Sequence, residues 1–122
     1  MNLDQLCAEY GHEFAKEVNQ VLLTKALSVL QEQGLYAFVL FCESRGSTEK
    51  QGADKIIALT QKLFKEKLKI IGEGDLLEEI RKDNGLASNL DNLMLAIQVL
   101  EKSLIYARYH AKAFKESTQT NQ

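Results

Sequence analysis

Apolar residues recur along this chain at helical rather than strand spacing. Leu3, Leu6, Cys7, Tyr10, Phe14, Val18, Val21 and Leu22 fall mostly three or four residues apart, the repeat of one face of an α-helix. The pattern continues through Ala26, Leu27, Val29 and Leu30 to Gly34. Glycine takes the left-handed conformation that ends helices, so Gly34 is the expected stop. Gly11 interrupts the segment at a cost of about 1 kcal/mol relative to alanine. It marks the place where one helix would become two. Leu35 to Cys42 is an unbroken apolar run with aromatic and β-branched members. Such a run suits a buried strand. No second segment offers a pairing partner, so the run is read as a short buried helix.

Ser44-Arg45-Gly46-Ser47-Thr48 has the composition of a turn, and Ser47 or Thr48 is placed to cap the helix that follows. That helix is expected over 49–71. Ile56, Ile57, Leu59, Leu63, Phe64, Leu68, Ile70 and Ile71 cover one broad face, while Lys55, Lys62, Lys65 and Lys69 share the opposite one. Lys67 falls inside the apolar arc. Either its stem snorkels or the helix ends earlier. Gly72-Glu73-Gly74 is the clearest hinge. Asp75 then caps a short acidic helix over 76–83, which Asn84-Gly85 ends. Ser88 with Asp91 resembles a loose capping box before a last helix over 90–115. Leu93, Ile97, Leu100, Leu104, Ala107 and Ala111 make its apolar stripe. The expected architecture is all-α: a single compact bundle over 1–116 with about five to six helices, the last one long. A disordered polar tail is expected over 117–122. No repeat, low-complexity tract or linker divides the chain.

Composition supports the helical reading. The chain has 122 residues, 45% of them apolar, and no proline. Average usage would place roughly six prolines in such a chain, and proline breaks helix interiors. Cys7 and Cys42 are too few for a disulfide framework and suggest a reducing compartment. The polar, acidic N-terminus is not expected to act as a signal peptide. The longest apolar run is far short of the roughly 20 residues of a membrane span. These features predict a soluble cytoplasmic domain.

Net charge is only −2, but it is unevenly spread. Residues 1–44 and 73–101 are acidic, and residues 45–72 and 102–122 are basic. Such alternation either neutralises itself within the fold or between subunits, or gives oppositely charged faces.

Few residues suggest catalysis. Glu9 and His12 have the Glu-x-x-His spacing of di-iron bundles. The second copy of the motif is missing, because Ala107 stands three residues before His110. His12-Glu13 opens like a zinc-protease motif, but Lys16 occupies the place of its second histidine. Neither a metal nor another cofactor is expected, and the bland reading of His12 is a surface histidine. Cys7 and Cys42 lie on apolar stripes and read as inert packing. No phosphate-cradling glycine loop or nucleophile elbow is present. Glycines and acids at 72–75 begin a helix, where an anion could bind, but the acids oppose phosphate.

Basic residues are the more informative feature. The lysine stripe could lie along a phosphate backbone, or it could be an ordinary solvated face. Arg108, Lys112 and Lys115 share a narrow arc interleaved with Tyr106, Tyr109, His110 and Phe114. Arginine with tyrosine suits RNA, through phosphate contacts and base stacking. The bland alternatives are cations complementing a helix C-terminus and tyrosines at the edge of a core.

Three stretches also resemble a known family, the small helical, non-catalytic subunit of type III CRISPR effector complexes of the Cmr type (type III-B). Gln33-Gly34-Leu35 opens an apolar helix with Phe41 near its end, followed by Ser44-Arg45-Gly46. A helix follows over 52–68. The long C-terminal stretch, from Leu90-Asp91-Asn92-Leu93 to Ala111-Lys112-Ala113-Phe114, resembles the family's last helix. The likeness spans about residues 13–115. It implies a structural subunit that stacks head to tail with copies of itself beside the backbone subunits. There it would line the groove for guide RNA paired with target RNA, in antiviral defence, while other subunits cleave. On this reading RNA contact is assigned to Arg45, Arg108, Lys112 and Lys115, with Lys55 and Lys62 second. Contact with a neighbouring copy is assigned to Glu73, Glu78, Glu79 and Asp83. The alternative is a helical protein–protein adaptor with no nucleic-acid role.

Overall fold

The computed structural model describes the backbone of residues 2–120 and the side chains of residues 2–114. Six α-helices run in the order α1 (Leu3–Glu17), α2 (Gln20–Gln33), α3 (Leu35–Glu43), α4 (Lys50–Lys62), α5 (Leu76–Arg81) and α6 (Leu90–Thr120). The described residues contain no strand. No described helix is long and apolar enough to cross a membrane. The all-α architecture with a long last helix is therefore the one the apolar pattern predicts. Of the tail expected as disordered over 117–122, the backbone of 117–120 continues α6, and 121–122 lie outside the described residues.

α6 is the spine. α1 packs along it more extensively than any other pair of helices, and α2 packs against it as well. Matched neighbours advance together along α1 and α6. The Cys7 thiol donates to the Val99 carbonyl oxygen at 3.6 Å, Gly11 lies against Ser103 and Tyr106, and His12 meets His110. The two helices thus run in the same direction. α3 fits between α2 and α4 and also meets α5. Phe14, Phe38 and Phe64 are fully buried, together with Leu22, Leu23, Ile56, Leu100 and Leu104. Leu35, Phe38, Val39 and Cys42 bury one side of α3, so its apolar run is a core helix, as expected.

The division of the first segment is not at Gly11. The chain breaks at Val18, which is extended, and Asn19 caps α2 by accepting a 2.9 Å hydrogen bond from the Leu22 amide. Gly11 stays helical and is where α6 comes closest. A Cβ placed there would lie 2.6 Å from Tyr106 Cβ and 3.0 Å from the Ser103 carbonyl oxygen. Gly34 does end α2, at φ 94°.

The helix expected over 49–71 is also shorter. Ser47 and Thr48 make no capping hydrogen bond, and a 3₁₀ turn at Ser47–Glu49 leads into α4. Beyond Lys62 the backbone widens into a π-turn at Leu63–Lys67, closed by the Leu68 amide donating to the Leu63 carbonyl oxygen at 2.9 Å. This extra residue per turn rotates Lys67 out of the apolar arc to an exposed position. Lys69 then takes φ 56° and the helix is over. At the start of α6, Asn89 rather than Ser88 is the cap, accepting from the Asn92 amide at 3.1 Å. Ser88 instead donates to the Gly85 carbonyl oxygen at 2.7 Å.

Among the described residues, one core position is polar without compensation. The Thr60 hydroxyl oxygen is buried and has no hydrogen-bond partner. A buried polar group left unpaired costs about 1–3 kcal/mol. Thr60→Val keeps the branched shape and removes that cost. The variant is expected to gain about 1 kcal/mol, read as a higher midpoint of thermal unfolding by circular dichroism. An unchanged or lower midpoint would contradict it.

Candidate nucleic-acid interface

The exposed edge of α6 carries Ile105, Arg108, Tyr109 and Lys112 at i, i+3, i+4 and i+7, which places them on one face. Together with Gln20, the first residue of α2, they line a cavity of about 200 Å³. Tyr109 is 71% exposed, an unusual position for an aromatic ring. Among the described residues neither Arg108 nor Lys112 has an ion-pair partner. The N-terminus of α2 at the same cavity adds the positive end of a helix dipole. The edge therefore combines two uncommitted cations, a helix N-terminus and an exposed π-face. These groups can hold a phosphate and stack on a base.

The remaining basic candidates are more committed. Arg45 lies 4.2 Å above the Phe41 ring, donates from Nε to the Phe41 carbonyl oxygen at 3.1 Å and lies 3.7 Å from Glu49. Glu49 also pairs with Lys25 at 2.9 Å, and the Lys25 contact holds its carboxyl below the usual range. Arg45 is thus the fastener of the turn after α3. Lys55 is 4.0 Å from Glu17. Lys62 lines a separate cavity of about 300 Å³ with Glu9, His12, Glu13 and Lys67. The lysine stripe is broken in the same way, because Lys65 pairs with Glu73 at 2.6 Å. The Lys115 side chain lies outside the described residues.

The four acidic positions do not act alike. Glu73 is spent on Lys65, and Glu78 pairs with Arg81 at 2.8 Å. Glu79 is turned inward, only 6% exposed. It accepts from the Gly72 amide at 2.7 Å, the Gly74 amide at 3.1 Å and Lys82 at 3.0 Å. The Gly72 bond, followed by Lys82, holds its carboxyl below the usual range. Glu79 therefore ties the loop after the π-turn to α5 and presents no free carboxylate to a neighbour. Among the described residues only Asp83 of the four is exposed and unpaired.

Helical spacing groups Arg108, Tyr109 and Lys112, but it does not bring Gln20 to them. The signal for Gln20 was Asn19, a good cap that the apolar repeat hid. Leu104 of the α6 apolar stripe is fully buried, so it offers no surface to a protein partner. At the other end of the α1–α6 contact, Asp4 accepts from Tyr106 at 2.6 Å and from Lys102 at 2.7 Å, and Lys102 above all lowers its carboxyl pKa.

The cysteines carry no chemistry at this edge. Both are buried, and burial pushes the Cys42 thiol up to about 12 and raises Cys7 as well. The thiolate is the reactive form. In thiol titration the native protein is expected to show neither cysteine, and the denatured protein both. Rapid reaction of the folded protein would contradict the placement.

Fold and edge together define the class: an all-α protein with an exposed basic and aromatic edge on its longest helix. The chain matches no protein-family model, no curated protein and no solved structure.

Proposed function

We propose that this protein is a non-catalytic, RNA-lining structural subunit of a type III-B (Cmr-type) CRISPR effector in the cytoplasm. It stacks in copies along the backbone subunits and faces guide RNA paired with target RNA. The observation that carries the RNA reading is the α6 edge, where Arg108 and Lys112 stand one turn apart beside Tyr109 without ion-pair partners among the described residues. The assignment to this particular complex rests on the sequence resemblance. The contacts are sequence-independent, because side chains that meet phosphates do not read bases. Arg108 and Lys112 take the main role. Arg45, Lys55 and Lys62 take lesser ones, since their charges are partly spent or face elsewhere.

The test is double charge reversal, Arg108→Glu with Lys112→Glu, in the assembled complex. Target-RNA retention is expected to fall, and the slope of log affinity against log salt to shrink by about 2, one for each lost phosphate contact. Unchanged retention and slope would remove the RNA assignment. Purification from the host under mild salt tests the complex itself. Short RNAs sharing a repeat-derived handle should accompany the protein.

A second reading, a protein–protein adaptor, is favoured by the apolar trough of Val29, Ala37, Leu40 and Phe41 between α2 and α3. Leu40 there is 47% exposed. Partner binding through this trough would survive nuclease and weaken in Leu40→Ala.

A further inference from the structure

The chain has only two histidines, one near each end. The fold brings them together. His12 on α1 and His110 on α6 have ring centroids 5.6 Å apart, with planes at 81°. Phe114 stands beside both, at 6.4 Å from His12 and 5.9 Å from His110. His12 also lines the cavity of about 300 Å³ where Glu9 and Glu13 are balanced by Lys62 and Lys67, and His12 is solvent-exposed.

We propose that His12 and His110 form a binding site for a divalent transition-metal ion of the zinc or nickel type, which clips α1 to α6. Three observations support it. First, imidazoles sharing one ion have ring centres roughly 5–5.5 Å apart, given metal–nitrogen bonds near 2.0–2.1 Å. The observed 5.6 Å lies just beyond that range. Second, the pair bridges the most extensive helix contact in the molecule, so an ion there joins two elements that are already held in register. Third, imidazole is the side chain that suits zinc and nickel, whereas isolated carboxylates suit magnesium and calcium. The second histidine comes from α6, not from a repeat of the Glu-x-x-His motif, and Glu9 is not a ligand. Among the described residues no set of three or more histidine, cysteine or acidic side chains is arranged around one ion. The site is therefore two-coordinate from the protein, with solvent completing the shell, and exchanges its ion readily. It does not depend on the RNA reading.

The test uses tag-free full-length protein and zinc or nickel chloride as the probe. With two histidines in the chain, the proton spectrum holds two imidazole C2 signals. Both are expected to shift with zinc, or broaden with nickel, in one saturable step at one ion per chain. His12→Ala and His110→Ala are each expected to weaken binding about 100-fold, the gain from holding two weak ligands together. Each should also abolish the rise in unfolding temperature that zinc gives the native protein. Circular dichroism checks that the variants fold. Movement of one signal only, no saturable binding, or undiminished binding in the double variant would each overturn the proposal.

Discussion

Replacing Gly11 with alanine destabilises the protein by about 1–3 kcal/mol, the usual cost of forcing an extra carbon into a packed contact. Helix propensity alone predicts the opposite sign, because alanine is favoured over glycine in a helix interior by about 1 kcal/mol. The contact decides. The added methyl group would sit 2.6 Å from Tyr106 Cβ and 3.0 Å from a carbonyl oxygen of α6. Neither atom can rotate away, since one is the root of a side chain and the other is backbone. α1 and α6 must separate, and the neighbouring Asp4–Tyr106 hydrogen bond is strained with them. Chemical denaturation of both proteins measures the difference. A gain in stability for Gly11→Ala would show that the helices are not packed as closely as described.

Acidification is expected to loosen the protein through Glu79. Its folded carboxyl pKa lies below the unfolded value, because the Gly72 amide, then Lys82 and the Gly74 amide, favour the charged form. The unfolded chain therefore binds its proton first. The Glu79 contribution is fully present above the ordinary carboxylate range and disappears as pH falls through the folded value. Asp4 and Glu49 are shifted in the same direction, by Lys102 and Lys25 respectively. Stability should thus decline from about pH 5 downward. Glu79→Gln should be less stable than the native protein at neutral pH, and the gap should narrow in acid. Denaturant midpoints at several pH values test both statements. A gap that stays constant with pH would remove Glu79 as the linked group.

The candidate RNA edge was partly legible in the sequence. Arg108, Tyr109 and Lys112 share one face of any helix that contains them, so their spacing alone groups them. Arg45 was different. Its position after an apolar helix looked like an exposed basic turn, yet Phe41 and Glu49 occupy its guanidinium. Spacing cannot say whether a charge meets solvent or a neighbour. The same limit applies to Glu79, which had the pattern of a surface acid and became the anchor of a loop.

By itself the sequence determined the all-α class, the buried α3, the Gly34 stop and the long last helix. Each depends on periodicity and local backbone preference, which act over a few residues. Tertiary structure alone decided the rest. It placed Gly11 where α6 comes closest, and it ended α4 in a π-turn that keeps Leu63 and Phe64 in the core. It also set the two histidines side by side. These outcomes depend on which faces meet across the bundle, and contacts between residues far apart in sequence leave no local periodic trace.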